Sequence, residues 1–237
     1  VALVTGAGVR LGRVIAEGLA VRGFDLVLHA HRSRGEVHAL ADSLRRQGRN
    51  VEVRFADLSR SATAEKLVRD AWQAFGRIDL LVNNAAVYWP TPLERLSIRE
   101  LDAFLALNLK APYILSAGLG RRMKKAGGGA IVNIACLSGL RAWKGYVPYS
   151  ISKAGVVALT QGLAKLLAPQ VRVNAIAPGT VLPPEQLSRG AREKIRRRIP
   201  LRRLGTPQEL WRAVEYLVDG TFSTGVILPV DGGRMLV

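Results

Sequence analysis

Cysteine is almost missing: Cys136 is the only one in 237 residues. An internal disulfide is therefore excluded, and the expectation is a reducing, cytoplasmic setting. Histidine is scarce as well. His29, His31 and His38 have no partner spacing that suggests a metal site, so no metal is expected. No apolar run reaches the ~18 residues of a membrane span, and no signal-peptide pattern is visible. The chain begins inside an apolar run without methionine, which leaves open what preceded Val1. Acidic residues are also few, 18 against 35 basic ones, giving a formal charge of +17. Such a balance raises the question of nucleic acid. Yet no helix-turn-helix, zinc-finger or aromatic RNA-binding signature accompanies it. The expectation is a solvated basic surface, densest between Arg189 and Arg203, where it would attract anionic substrates or an acidic partner.

What is present is core material: 49% hydrophobic residues and 22% charged ones. Short apolar runs at 1–5, 25–30, 51–56, 78–85, 129–135, 171–178 and 225–233 read as strands. Helical periods near 10–22, 35–48, 61–75, 97–126, 148–168 and 207–218 alternate with them. This alternation predicts an α/β fold, a doubly wound parallel sheet with helices on both faces. No linker or repeat interrupts it, so residues 1–237 form one domain.

In such a sheet, ligands bind beyond the carboxyl ends of the strands, where the strand order reverses. The first edge is "TGAGVRLG", 5–12, with glycines at 6, 8 and 12, a spacing unlike G-x-G-x-x-G. Gly6 and Gly12 suit close backbone approach, and the helix start beyond them favours phosphate. Arg10 stands where a related motif carries glycine. The second edge, "HAHRS", lacks the carboxylate that grips an unphosphorylated ribose. His31, Arg32 and Ser33 are suited to a 2′-phosphate instead, which favours NADPH over NADH. At the third edge Asp57, followed by Leu58, could accept a bond from an adenine amine. At the fourth, Asn84, Ala85 and Ala86 let backbone approach a cofactor.

Tyr149 and Lys153 are spaced i, i+4 and share a helix face. A phenol of pKa near ~10 exchanges protons poorly at neutral pH, and a neighbouring ammonium would lower that value. Tyr149 is thus the candidate proton donor. Tyr146 has Ser150, not lysine, four residues on. Trp72, Trp143 and Trp211 read as packing residues.

Taken in order, "TG…G", "NNA", Asn108 in "LNLKAPY", Tyr149 with Lys153, "PG" at 178–179 and "VDGG" resemble the short-chain dehydrogenase/reductase family across essentially the whole chain. The resemblance implies a Rossmann-type fold, a nicotinamide cofactor and a homotetramer. It also implies that Lys153 binds the nicotinamide ribose and that Asn108 holds a water in a proton relay. The implied cofactor contacts add Leu11, Pro178 and Gly179 to those above. Within the family, "TGAGVRLG", "LHAHRS" and "NNAAVYWPTPL" look like the pteridine reductase branch. That branch implies a pterin stacked on Tyr88, with Arg10, Cys136 and Tyr149 also touching substrate. Two positions depart from the pattern: Cys136 stands where the family has serine and the branch aspartate, and Ala86 where the branch often has serine. Cys136 joins the candidate catalytic set with Tyr149, Lys153 and Asn108. Glu185 falls where the family closes a loop over substrate.

The leading expectation is an NADPH-dependent reductase of a dihydropterin or similar flat heterocycle. One alternative is a 3-oxoacyl-thioester reductase, its basic rim (Arg121, Arg122, Lys124, Lys125 and 189–203) facing an acidic carrier protein. The other is a weakly active binding protein on the same fold.

Overall fold

The computed structural model describes residues 1–183 and 187–237. Seven apolar runs pair into one parallel sheet: β1 (Ala2–Thr5), β2 (Leu26–Ala30), β3 (Val51–Phe55), β4 (Leu80–Asn83), β5 (Gly129–Ile134), β6 (Val171–Pro178) and β7 (Ile227–Val230). Their order is β3-β2-β1-β4-β5-β6-β7. The chain leaves β1 in one direction and returns beside it with β4, so the crevice opens between those strands. Helices α1 (Arg10–Val21), α2 (Arg34–Arg46) and α8 (Pro207–Asp219) cover one face. Ile15, Leu19, Leu40, Val214 and Leu217 are buried there. Helices α3 (Ser61–Phe75), α5 (Ala111–Lys125) and α6 (Val147–Leu167) cover the other, burying Leu67, Leu115, Leu119 and Leu163. Both faces of the central strands are dry, which is why the runs read as continuously apolar.

Two segments differ from the expectation. The helix expected over 97–126 is divided into α4 (Ile98–Leu105), a π-helical turn (Ala106–Lys110) and α5. Pro112 lies in the first turn of α5 and has no N–H to give the carbonyl four residues before it. The ladder widens there, with the Ala111 N–H bonded to the Ala106 carbonyl. Together these pieces span Ile98–Lys125, 28 residues, long and apolar enough by composition to cross a membrane. Charged residues hide this from a search for unbroken apolar runs. Packing against α3 and α6 accounts for the hydropathy. The second difference is α7 (Arg189–Arg197), hidden in the basic segment and started by Ser188, whose hydroxyl accepts from the Ala191 N–H at 3.2 Å.

Candidate active site

The loop after β1 is shaped by close approach. A Cβ on Gly12 would stand 2.1 Å from the Gly6 carbonyl oxygen, so any other residue there forces the loop to shift. Gly6 takes φ +65°, and Arg10 takes φ +52° at the position where a glycine was expected. A non-glycine residue in that region costs roughly 1 kcal/mol. Arg10 is held by reaching across to the Leu182 carbonyl beyond β6. Val9 caps α1 without a side-chain bond, leaving the helix's first N–H groups to the crevice.

Neighbouring strands pin this loop. The Asn84 amide donates to the carbonyls of Thr5 at 2.8 Å and Gly6 at 3.2 Å. The Thr5 hydroxyl accepts from the N–H groups of Asn84 at 2.9 Å and Ala85 at 3.0 Å. His29, in the middle of the arrangement, accepts from the Gly6 N–H at Nδ1 (3.3 Å) and donates from Nε2 to the Ala56 carbonyl (3.0 Å). Those two bonds require the neutral ring. Burial pushes His29 down to about 4, so it stays neutral at ordinary pH. Neither His29 nor Thr5 carries a local sequence signal for this role. Only the register of β1, β2 and β3 makes their bridging role visible.

Behind the loop lies a crevice of about 1010 Å³. It brings together Gly6, Arg10, Leu11 and Gly12 from the first edge with His31, Arg32 and Ser33 from the second. Asp57 and Leu58 close one end, and Asn84, Ala85 and Ala86 form the middle wall. The Ser59 hydroxyl and N–H both bond one oxygen of Asp57, at 2.7 and 3.0 Å, and hold its carboxyl below the usual range. Its second oxygen is left to the crevice. The guanidinium of Arg34 lies 4.3 Å over the Phe55 ring and is committed there; Arg32 lines the crevice itself. Pro178 and Gly179 are not part of this lining. The Gly179 N–H bonds the Val230 carbonyl at 2.9 Å, and a Cβ on Gly179 would strike Asp231. The "PG" and "VDGG" motifs therefore lock against each other.

The catalytic candidates stand beyond Val87 and Trp89 in an aromatic cluster. Cys136 and Tyr149 are buried with Phe104, flanked by Tyr146 and Trp143. The expected lowering of the Tyr149 pKa is corrected here. Burial and the adjacent Cys136 thiol hold the phenol well above its ordinary value. Lys153 sits 5.9 Å from the Tyr149 ring centroid and donates to the Ile134 carbonyl at 2.8 Å. Burial pushes its ammonium down to about 8. Desolvation dominates at the phenol, so Tyr149 is a protonated group at neutral pH.

Asn108 lies in the π-helical turn and is fully enclosed. Its amide oxygen accepts from the Val87 N–H at 2.9 Å, and its nitrogen donates to the Val87 carbonyl (3.0 Å) and Ser152 hydroxyl (3.1 Å). Ser152 in turn donates to the Tyr149 carbonyl at 2.7 Å. Asn108 thus ties the fourth-edge loop to the helix carrying Tyr149. That tie uses the side chain that the resemblance assigned to a water. Tyr88 has one face of its ring covered and remains partly exposed. Its ring stacks on Tyr146 at 4.9 Å and meets Tyr149 edge-on at 4.9 Å. The Trp89 indole N–H bonds Glu100 at 2.6 Å, so Trp89 serves the crevice wall. The chain remains extended through Cys136 and then turns, burying Ser138 with its hydroxyl unpartnered among the described residues. Glu185 lies outside the described residues.

Residues 1–194 match the family described as short chain dehydrogenase. The chain belongs to the short-chain dehydrogenase family. It is an NAD(P)-dependent oxidoreductase. An uncharacterised oxidoreductase of Mycobacterium tuberculosis is 37% identical over 98% of this chain and 91% of its own length. A 3-oxoacyl-[acyl-carrier-protein] reductase of Synechocystis is 33% identical over 100% of this chain and 97% of its own. Among solved structures, FolM alternative dihydrofolate reductase 1 from Brucella canis, complexed with NADP, superimposes with a TM-score of 0.93. That protein is 34% identical and covers 100% of this chain and 94% of its own. A blue fluorescent protein from a metagenomic library, in complex with NADPH, gives a TM-score of 0.92 at 27% identity, covering 98% and 96% of the two chains.

Proposed function

We propose that the chain is an NADPH-dependent reductase of a flat, conjugated heterocycle of the dihydropterin kind. The cofactor reading is supported by the Gly6–Gly12 cradle and by a second edge carrying His31, Arg32 and Ser33 with no acid. NADP and NADPH are the cofactors in the two similar structures. The single observation that carries the substrate reading is the aromatic wall of Tyr88, Tyr146 and Phe104 around the Tyr149 phenol. A planar ring is the shape such a wall accepts. The similarity to FolM alternative dihydrofolate reductase 1 points the same way.

Bound NADPH would supply a hydride. Tyr149 then gives its proton from Oη to the atom that gains negative charge. Burial keeps the phenol protonated but makes it a weaker acid, so proton transfer needs the forming phenolate to be stabilised. Lys153, 5.9 Å from the Tyr149 ring centroid, would offset the charge left on the phenolate oxygen and donate toward a ribose. Asn108 fixes Val87 and, through Ser152, the backbone of Tyr149. The Cys136 thiol supplies at most a weak hydrogen bond at the substrate edge. Tyr88 must leave Tyr146, or offer its outer face, for a ring to stack on it. Exposed Tyr113, Val147 and Ile151 on α5 and α6 are available to further copies of the chain. The homotetramer is therefore kept as part of the proposal, checked by light scattering.

The second reading, reduction of a 3-oxoacyl thioester, is favoured by the Synechocystis relative and by the basic helix α7. NADPH oxidation should be measured with dihydrobiopterin and with an acetoacetyl thioester side by side. Turnover of the pterin supports the first reading. Turnover of the thioester alone replaces it with the second.

A further inference from the structure

Beside the aromatic cluster lies a groove of about 720 Å³ whose polar lining is mostly arginine. Arg141 comes from the turn after β5, Arg197 and Arg198 from the end of α7, Arg202 from the next loop, and Arg234 from the turn after β7. No Asp or Glu lines it among the described residues. Five guanidinium groups repel one another, and a single basic run in sequence would not have brought them together. The end of α7 accounts for Arg197 and Arg198 as charges favoured at a helix C-terminus. It does not account for Arg141 and Arg234, which arrive from other strands' ends.

The donors are only partly used. Arg141 donates to the Val237 carbonyl at 2.5 Å, Arg202 to the Arg197 carbonyl, and Arg234 to the Thr180 hydroxyl. Arg197 meets Glu193 at 3.0 Å, an exposed pair of little weight. Each guanidinium carries five N–H donors, so most remain for a ligand. Arg202 also holds φ +54°, and with Arg10 it is one of two non-glycine residues in that region among those described. The groove connects to the reacting end through the aromatic wall; Tyr149 itself is not in its lining. Trp143 lines it while meeting Tyr146 edge-on at 6.1 Å, and Tyr146 stacks on Tyr88 beside Tyr149. Arg234 lies 5.1 Å from the Trp143 ring centroid, which places a cation against the same wall.

We propose that this groove is a subsite for an anionic arm of the substrate, a carboxylate or phosphate held by Arg141, Arg198 and Arg234 while the reducible head faces Tyr149. The subsite rests on the reading that Tyr149 marks the reacting end. It adds that the natural substrate is an acid rather than a neutral ring. The two sources of the charge are a carboxylate tail on a heterocycle and the phosphate of a phosphopantetheine-type thioester arm.

The test compares matched substrates on the full chain with NADPH. Dihydropterin is compared with dihydrofolate, which adds a dicarboxylate arm. Acetoacetyl-N-acetylcysteamine is compared with acetoacetyl-coenzyme A, which adds phosphates. In one pair the acid-bearing member should show a KM lower by roughly tenfold or more, the worth of one good charge-assisted contact. An Arg141→Gln, Arg198→Gln variant should abolish that difference while leaving kcat and the KM of the acid-free member unchanged. The pair that shows the effect identifies the source. Equal KM values within both pairs, or an advantage that survives the double variant, overturn the subsite. Should neither head turn over, the reading of the reacting end fails by itself. Calorimetric titration of p-aminobenzoyl-glutamate and of pantetheine 4′-phosphate then decides the subsite separately. Binding lost in the double variant supports it, and no binding of either, or binding the variant retains, overturns it.

Discussion

The crevice between β1 and β4 and the cluster around Tyr149 adjoin at Val87 and Trp89, yet they are made differently. Where the crevice meets the first loop it is walled by glycine, alanine and backbone, its shape set by what cannot fit, as the 2.1 Å approach at Gly12 shows; His31, Arg32, Ser33 and Asp57 add polar side chains further along. The cluster is walled by large rings whose positions depend on one another: Tyr88 on Tyr146, Trp89 on Phe104, Phe104 against Tyr149. Hydrogen bonds accepted by Thr5 and His29 and donated by Asn84 fix the first. Packing and one asparagine fix the second. A wall of backbone allows little choice of ligand, whereas a wall of side chains can be exchanged. On the proposed function, the crevice would take the cofactor and the aromatic end would set the specificity.

The contrast can be broken most sharply at Tyr149. Replacing it with phenylalanine removes only the hydroxyl, so kcat should fall by about 10²–10⁴-fold while NADPH affinity changes less than about twofold. Equal losses in both would mean that the two regions are not separable. A smaller effect is expected from His29. The unfolded ring takes a proton below about 6.5, and the folded one does so only near 4. Stability from this residue is therefore complete above pH 6.5 and falls as pH drops toward 4, by about 3 kcal/mol. Urea unfolding between pH 7 and 4 should show that loss, and a His29→Gln variant should show it reduced. Smaller still is Gly12→Ala. Overpacking there should cost roughly 1–3 kcal/mol of stability. It should also weaken NADPH binding more than it changes kcat, the reverse of Tyr149→Phe.

The same contrast explains what could be read in advance. The seven strands and the crevice edges follow from period, turn residues and the absence of an acid after β2, all local properties. The pair Tyr149 and Lys153 was legible for the same reason, being four residues apart on one helix. The π-helical turn was not, because an apolar helix pattern runs through Pro112 unbroken. The pose of Tyr88 depends on Tyr146, a partner distant in sequence. The raised pKa of Tyr149 depends on how deeply Phe104 and Cys136 enclose it, which spacing alone does not reveal. The arginine groove was visible only as a basic stretch at 189–203, since Arg141 and Arg234 join it through the fold.

The central claim is that the second edge selects NADPH, and paired equilibrium titrations of NADPH and NADH against the native chain and an Arg32→Ala variant test it most directly. The account predicts tighter NADPH binding by the native chain, by roughly tenfold or more, with most of that preference gone in the variant and NADH affinity unchanged. Equal affinities in the native chain, or a preference that survives the loss of Arg32, would contradict it.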